Sequence, residues 1–410
     1  MAIPNKDRLN WLIIEDALKD DHGHFLDFVT TFRRGLASLG DKVTVLCDRG
    51  AIKSVLEQTG AIPCMPGADL RLGSLRSLRE IARNLRWVGG SLVALARKTK
   101  LIDASDVVFL TAVRLQHLIL WRIYTLLRGR RLQTPLLFFF MATPVRLRGD
   151  GLGYEWDGFP GRATGALIRS LKASSAGKNT RFATETEELS DCLSALSGVR
   201  FETLPQPVEC DSLVARTRPT AARDGFITIG SFGPPREEKG SHLLVKAIGI
   251  ILSNKEPQMA RFVVQWTQDF RIEDGSLTQI PPELQSSAHF RVIPHYFAPG
   301  EYEKILGEID AIILPYGSEY SLRGSRVVID ALVRGLPVAV TAGSSLQTLA
   351  QRYGNCVLIE SWDAPAVAKA VSDLVRLVQG TNQSECFVAR KAQEYFSVRE
   401  FRRRCLAGGS

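Results

Sequence analysis

The sequence has few of the features that would set it apart from an ordinary compact globular protein. No run of about 18 apolar residues occurs, and no apolar core follows the first lysine, so we expect neither a membrane span nor a signal peptide. The seven cysteines are scattered, without a Cys-x-x-Cys pair or neighbouring histidines, which argues against a zinc site and a disulfide framework. Such cysteine usage is typical of a reducing cytoplasm.

Acidic side chains are scarce in one part of the chain. Residues 1–200 hold 29 Lys and Arg against 20 Asp and Glu, whereas residues 201–410 hold 23 of each kind. The excess is concentrated in residues 70–131, which carry 13 basic and 3 acidic side chains. A local surplus of this kind predicts an anionic partner, either phospholipid or nucleic acid. We expect no nucleic acid, because no helix-turn-helix or zinc pattern accompanies the basic segment.

Length and periodicity predict two domains. At 410 residues the chain exceeds what one hydrophobic core usually accommodates. Periodicity is lost at 204–208, a segment with two prolines, so a boundary is predicted there. The predicted parts are an N-terminal domain over 1–205, a C-terminal domain over 206–386, and a basic helix over 387–410.

Short apolar runs alternate with helical periods in both predicted domains, as in parallel sheets covered by helices. Thr184 is predicted to open a helix with a Thr-x-x-Glu capping box. We predict an α/β protein with two doubly wound, Rossmann-like domains facing a cleft. The predicted strands are 11–14, 42–47, 61–65, 107–110, 136–140 and 181–184, then 226–229, 262–266, 290–294, 311–314, 338–340 and 357–360.

The most informative stretch covers residues 311–341. A buried strand runs into Pro315, a polar loop follows, and a helical period from Ser325 ends at Gly335 before a second strand. Such a unit places the free N–H groups of the helix at the carboxyl edge of a sheet, where phosphates bind. Asp330 lies in this helix, beyond the anion-binding end.

The segment Asp330–Val338, Asp-Ala-Leu-Val-Arg-Gly-Leu-Pro-Val, resembles the donor-binding signature of retaining GT-B glycosyltransferases of the family 4 type. In that signature a strand ending in Pro-Ser or Pro-Tyr leads to a helix reading Glu-Ala-x-x-x-Gly-x-Pro-Val. The resemblance covers residues 226–341 well and the first half loosely. It implies the GT-B fold, a nucleotide diphosphate sugar of the UDP or GDP type as donor, and a role for Asp330 in holding the ribose hydroxyls. It also implies that the C-terminal helix predicted over 387–410 crosses back to the N-terminal domain.

Residues 230–240, Gly-Ser-Phe-Gly-Pro-Pro-Arg-Glu-Glu-Lys-Gly, resemble the second donor motif of the family, in which an Arg and a Lys-Gly neutralise the diphosphate. A leaving diphosphate gains negative charge in the transition state, so fixed cations beside it are the main catalytic instrument. The resemblance assigns this role to Arg236 and Lys239, with Lys239 as the closer match in spacing. Gly233 lies in the same loop.

Further donor-site candidates follow from departures from the family pattern. The partner glutamate, eight residues before the helix acid, is replaced by Leu322, and Glu319 is taken as a catalytic candidate instead. Arg323 and Arg326 with the Ser325 hydroxyl can supply the lost contacts. An aromatic at a strand end could stack on the base. The donor-binding candidates are Gly233, Tyr296, Tyr316, Arg323, Gly324, Ser325, Arg326, Val327 and Asp330.

Acceptor-side candidates lie in the first half. Gly23 matches the glycine that in GT-B proteins lets the backbone approach the donor phosphate or the acceptor, and His24 follows it, with a solvated loop or a helix cap as the alternative. Arg146 lies in a glycine-rich loop after strand 136–140, and the length of that loop suits acceptor binding. The family's histidine after this strand is replaced by Met141.

Three functions remain open. The leading one is hexosyl transfer to a saccharide or lipid-linked acceptor, with retention, without a cofactor, and without a metal because no Asp-x-Asp stands in a suitable loop. In that mechanism the leaving diphosphate accepts the acceptor's proton. The alternatives are a GT-B sugar-nucleotide epimerase, with Glu155 or Glu319 as acid and base, and a non-catalytic GT-B subunit that binds donor or a partner protein.

Residues 70–100 predict a basic amphipathic helix. We expect its apolar face to pack on the N-terminal domain while its arginine flank meets anionic lipid. The protein would then be cytoplasmic and dock reversibly on the inner face of the membrane. The apolar positions are Leu75, Leu78, Ile81, Leu85 and Val88, and the flanking ones are Arg76, Arg79, Arg83 and Arg86.

Overall fold

The computed structural model describes residues 6–20, 25–67, 77–149, 153–209, 225–253, 259–298, 300–380 and 385–407, with only the backbone for 385–388. The chain divides into two compact units, the first Met1–Glu209 with Ser397–Ser410 and the second Cys210–Phe396. The predictions on Gly23, His24, Leu75 and Arg76 lie outside the described residues.

The first unit is built on a parallel sheet. Its described strands follow the order β3-β2-β1-β4-β5-β8-β9, and a separate antiparallel hairpin pairs β6 with β7. β4 and β5 are buried along their whole length, as expected for central parallel strands. The strands are β1 (Asn10–Glu15), β2 (Lys42–Asp48), β3 (Ile62–Met65), β4 (Val107–Leu110), β5 (Leu136–Phe140), β6 (Val145–Leu147), β7 (Tyr154–Trp156), β8 (Thr180–Thr184) and β9 (Phe201–Thr203).

Helices cover this sheet and enclose an aromatic core. Phe28, Phe32, Phe109 and Phe139 are fully buried, and Phe28 and Phe109 each contact the other three rings. The helices of the first unit before its C-terminal segment are α1 (Phe25–Ser38), α2 (Lys53–Thr59), α3 (Leu78–Arg97), α4 (Thr99–Asp103), α5 (Leu115–Arg128), α6 (Gly158–Lys172) and α7 (Glu187–Ser197).

The second unit repeats the arrangement. The described strands of its main sheet are all parallel, in the order β14-β11-β10-β15-β16-β17, and β12 with β13 forms a separate short antiparallel hairpin. The strands are β10 (Ile227–Ser231), β11 (Ala260–Gln265), β12 (Phe270–Arg271), β13 (Leu277–Thr278), β14 (Phe290–Ile293), β15 (Ala311–Leu314), β16 (Val338–Thr341) and β17 (Cys356–Ile359). The helices are α8 (Ser241–Ser253), α9 (Pro282–Gln285), α10 (Glu301–Glu308), α11 (Arg326–Leu332), α12 (Ser345–Tyr353), α13 (Ala364–Gly380) and α14 (Glu385–Tyr395).

The predicted single tail helix is wrong, because the tail forms two helices. α14 belongs to the second unit, and α15 (Val398–Ala407) belongs to the first. Ser397 separates them, since its hydroxyl accepts a hydrogen bond from the Glu400 N–H and so caps the new helix. α15 places Phe401 against Phe32, with ring centres 4.6 Å apart.

The predicted capping box at Thr184 is also wrong. Thr184 still belongs to β8, and its hydroxyl donates to the Thr186 carbonyl. The N-cap of α7 is Thr186, which accepts from the Leu189 N–H at 3.3 Å. The helix therefore starts two residues later than the Thr-x-x-Glu pattern places it, because the N-cap is Thr186 and not Thr184.

The face on which α3 packs differs from the prediction. Leu78, Ile81 and Leu85 are exposed, and of the predicted apolar positions that the structure describes only Val88 is buried. The inward face holds Trp87, whose indole N–H donates to the Pro66 carbonyl at 3.0 Å. This contact fixes the rotation of α3 about its axis.

In the described part of each main sheet, strand order reverses at a switch point. This point lies between β1 and β4 in the first unit and between β10 and β15 in the second. At such a point the connections from the two carboxyl ends run in opposite directions and leave room for a ligand. Each unit therefore offers one edge position at which a site is expected.

Candidate functional site

Two loops meet at the switch point of the second unit. One follows β10 and ends at Gly240, and the other follows β15 from Pro315. The Gly317 N–H donates to the Glu238 carbonyl at 2.8 Å. Gly240 has φ +64°, and a side chain there would collide with the Pro315 carbonyl. The two donor motifs recognised in the sequence are thus adjacent in the structure.

Lys239 is a half-buried cation between these loops. Its Nζ lies 5.8 Å from the ring centre of Tyr316, and a Cβ at position 233 would lie 2.5 Å from it. Burial lowers the pKa of Lys239 to about 8, with a further contribution from Arg236 that Glu238 partly opposes. Within the described part of the chain no carboxylate pairs with this ammonium, so an anionic ligand would gain a strong partner here.

Two arginines and two tyrosines belong to the same pair of loops as Lys239. Arg236 lies 3.5 Å from a carboxylate oxygen of Glu238, and the Arg323 guanidinium lies 4.3 Å from the centre of the Tyr320 ring. Tyr320 packs on Tyr316, with ring centres 4.6 Å apart. Burial raises the pKa of Tyr316, whose hydroxyl hydrogen-bonds Ser325. The site therefore combines flat aromatic walls with positive charge.

Ser325 is the N-cap of α11, a helix of only seven residues, and Gly324 and Val327 lie half-buried beside it. Arg326 donates to the Asp330 carboxylate at 2.9 Å, and Arg334 lies 3.8 Å from the same oxygen. The Asp330 side chain is only 3% exposed. Asp330 is thus held by two arginines of its own helix region, and its contact with a ribose stays a prediction.

Two further candidates lie at the surface. Glu319 lies in the 3-10 turn Ser318–Tyr320 with its side chain exposed. Tyr296 follows β14 and is 54% exposed. Tyr296 lies next to His295, which pairs with Glu301 at 2.9 Å. The roles of Glu319 and Tyr296 stay predictions.

Sequence reasoning missed Gln265, the last residue of β11. Its buried side chain accepts from the Gly233 N–H at 2.7 Å and donates to the His295 carbonyl at 2.9 Å. One amide therefore ties the loop after β10 to the loop after β14. The available signal was a polar residue closing an otherwise apolar strand.

On the first unit, Arg146 lies in β6 and pairs with Glu155 of β7. The Arg146 Nε donates to the Glu155 carboxylate at 3.0 Å, and both side chains are about half exposed or more. Glu155, a candidate acid for epimerase chemistry, is therefore engaged in a surface ion pair within the hairpin.

The switch point of the first unit carries a polar cluster that the sequence analysis did not assemble. The Arg114 N–H donates to Nδ1 of His117, so Nε2 carries the proton and donates to Asp16 at 3.1 Å. Asp16 follows β1, whereas His117 lies in the first turn of α5 after β4. The two become neighbours only because β1 and β4 pair.

Glu15 lies beside Asp16 and is buried. Its carboxylate accepts hydrogen bonds from the Thr111 hydroxyl and from the Ala17 N–H. Burial, together with the charge of Asp16, raises the pKa of Glu15 to about 7. Within the described ranges no three His, Cys, Asp or Glu side chains are placed to hold a metal ion.

Comparison with known proteins yields likeness of structure and none of sequence. Neither a protein-family model nor a curated protein sequence matches the chain. A structure of Anabaena Alr3699/HepE in complex with UDP has a TM-score of 0.63 and 12% identity over 98% of this chain and 99% of that one. A glycosyltransferase from Rickettsia africae gives 0.64 and 12%, and sucrose-phosphate synthase from Thermosynechococcus elongatus gives 0.64 and 14%, each over 98% of both chains.

These likenesses, with the strand order of the two sheets, establish the GT-B fold, built of two Rossmann-like units. The predicted fold class is confirmed, and so is the resemblance to GT-B glycosyltransferases at the level of the fold. At this sequence identity the likeness extends no further than the fold.

Proposed function

We propose that the protein is a glycosyltransferase that moves a hexosyl group from a nucleotide diphosphate sugar to a saccharide or lipid-linked acceptor. The observation that carries the proposal is Lys239, a half-buried cation at the switch point of the second unit, with Arg236 and Arg323 near it. HepE, which has the same fold, was crystallised with UDP and supports a donor of the UDP type.

The proposed chemistry follows from the charge at this site. The bond from the anomeric carbon to the phosphate oxygen breaks, and a bond to the acceptor oxygen forms. The leaving diphosphate takes the bonding electrons, and Lys239, Arg236 and Arg323 stabilise the added charge. These three cations allow transfer without a metal, and retention follows if the diphosphate itself takes the acceptor's proton.

The acceptor is proposed to bind the first unit. Asp16, fixed by His117, and the buried Glu15 offer carboxylate oxygens at the switch point of that sheet, where ligands of open α/β sheets bind. Gly23, His24 and Arg146 are retained as proposed acceptor contacts. We also propose a cytoplasmic protein that works at the inner face of the membrane, on the basis of the positive charge of residues 70–131.

The test is a thermal-shift screen of UDP, GDP, ADP, CMP and their sugars, since a ligand that binds only the folded state raises the melting temperature. The best sugar nucleotide is then incubated with candidate acceptors. Transfer predicts that free nucleotide appears only when an acceptor is present. Release without acceptor would favour an epimerase or hydrolase, and binding without any release would favour a non-catalytic subunit.

The epimerase alternative needs acid and base carboxylates beside the bound sugar. Glu155 is paired with Arg146 in the hairpin of the first unit, and Glu319 is exposed in a surface turn. Glycosyl transfer, which needs fixed cations and no such pair, fits the described residues better.

A further inference from the structure

The inward face of α3 is fixed by packing. Trp87 donates to the Pro66 carbonyl, and its ring meets the His117 ring edge-on with centres 5.0 Å apart. A Cβ at Gly90 would lie 3.0 Å from the Pro66 ring, so the helix lies close to that proline. The buried positions of the helix are Asn84, Trp87, Val88, Ser91, Ala94 and Leu95.

The outward face of α3 is apolar. Leu78 is 84% exposed, Leu85 is 63% exposed, and Val93 is 51% exposed. With about 3.6 residues per turn, these three positions fall within a narrow stripe opposite Trp87. Ala82, Gly89 and Ala96 are exposed in the same stripe and add no polar group to it.

Positive charge lies along one side of this stripe. Arg79, Arg86 and Arg97 are exposed and lie about a quarter turn from the leucines. Glu80 is the one acidic side chain of α3, and it is engaged at the N-terminus, where it forms a capping box with Ser77. The outward face therefore has an apolar strip with a basic border and no acidic side chain of its own.

We propose that this outward face of α3 binds an anionic phospholipid surface, with the leucines in the acyl boundary and the arginines on lipid phosphates. Leucines this exposed lack a protein partner in the described structure, and the adjoining arginines select an anionic surface over a neutral one. None of the described helices has the length and hydropathy needed to cross a bilayer. A helix lying flat in the interface matches the two-sided pattern of α3.

This inference supplies the surface for the membrane location proposed above, and it does not depend on the transferase chemistry. The vesicle experiment below contains no nucleotide. If the protein bound vesicles but no nucleotide, only the proposed function would be contradicted. If it bound nucleotide but no vesicles, only this inference would be contradicted.

The experiment is co-sedimentation of the full chain with vesicles of phosphatidylcholine, with and without phosphatidylglycerol, at low and high salt. Wild type is expected to bind the anionic vesicles and to leave the neutral ones largely unbound. High salt should weaken binding without abolishing it, because ions screen the arginines but not the inserted leucines. A double substitution Leu78→Ser with Leu85→Ser should weaken binding to anionic vesicles about tenfold or more.

Arg79→Gln with Arg86→Gln tests the charge. At low salt each arginine is expected to raise the affinity for anionic vesicles about fivefold, which corresponds to roughly 1 kcal/mol per charge. At high salt its contribution to the affinity should be small. The matched control is Leu277→Ser, which removes a leucine 52% exposed on β13 of the second unit and should bind as wild type does. Unchanged melting temperatures show that each variant is folded.

Three results would overturn the proposal. Wild type binding neutral and anionic vesicles equally, or neither, would show that lipid charge is not recognised. The leucine double variant binding as wild type does would exclude the stripe. A wild-type dimer in sedimentation without vesicles that the leucine double variant dissociates would assign the face to a second copy of the chain.

Discussion

Lys239 is the residue on which the proposed donor site depends most. Partial removal of an ammonium from water without a carboxylate partner costs free energy. A bound diphosphate offsets that cost through its charge-assisted hydrogen bonds to the ammonium. We expect Lys239→Ala to weaken binding of the best nucleotide by about 1.5–3 kcal/mol with little change in melting temperature. Isothermal titration calorimetry measures this, with Lys246→Ala, an exposed lysine of α8, as control.

Equal affinity of wild type and Lys239→Ala would rule out Lys239 as a donor contact. The pH dependence gives a second check. Since the free protein loses the Lys239 proton with a pKa of about 8, nucleotide affinity should fall as pH rises above 8. The alanine variant should lack that fall.

The raised pKa of Glu15 predicts how the free energy of unfolding depends on pH. Its pKa is about 7 in the folded chain against an ordinary value of 4.5, so the folded state holds a proton that the unfolded state has released between these values. Stability from this group is therefore greatest below pH 4.5 and declines as pH rises to 7, by about 3 kcal/mol. Glu15→Gln stays neutral and should remove the decline.

The measurement is chemical denaturation of wild type and Glu15→Gln from pH 4.5 to pH 7.5, with the difference taken at each pH so that other groups cancel. Glu319→Gln, at an exposed position, is the control and should follow wild type. If the free energy of unfolding changed with pH in the same way for wild type and Glu15→Gln, Glu15 would be ionised in the folded chain throughout this range.

Among the loops, the contact between Gly240 and Pro315 decides how closely the two donor segments approach. Gly240→Ala puts a side chain where φ is +64° and where the Pro315 carbonyl already lies. We expect the loops to separate and nucleotide affinity to fall at least about tenfold, since phosphate contacts depend on fine positioning. Gly249→Ala is the control, because a Cβ there meets nothing within 4 Å and should stabilise α8 slightly.

Among the helices, α15 holds to the first unit through a buried ion pair. Arg402 donates to Asp41 at 2.7 Å, and Asp41, whose side chain is fully buried, also accepts from the Trp11 indole. Arg402→Met should leave that carboxylate without its cation and lower the free energy of unfolding by about 2–4 kcal/mol. Arg403→Met removes only an exposed pair with Glu400 and should cost under about 1 kcal/mol. Urea denaturation separates the two outcomes.

For the whole molecule, the sequence predicted the sheets well because buried parallel strands are continuous apolar runs. β4, β5 and β15 match the predicted strands to the residue. The order of the strands within each sheet was not predicted. Sites that depend on which strands are neighbours were therefore missed. Asp16 and His117 lie 101 positions apart in sequence and meet only through the pairing of β1 with β4.

Faces and ends of helices were harder to predict than their existence. α3 carries apolar residues on two sides, so periodicity alone does not select the inward one, and the contact of Trp87 with Pro66 does. No glycine or proline marks the break between α14 and α15. The local signal that the structure shows is the hydroxyl of Ser397, which caps α15. Capping by one hydroxyl is too common a pattern to separate two helices in a sequence.

The return of α15 to the first unit has a consequence for the order of events on the ribosome. Phe401 fills a place in the core beside Phe32, Phe109 and Phe139, so that core stays open until α15 has been synthesised. At roughly 5–20 residues per second, the residues between Glu209 and Ser397 take on the order of ten to forty seconds to synthesise. The second unit can complete its sheet during that interval, and the unit that is synthesised first is the one that closes last.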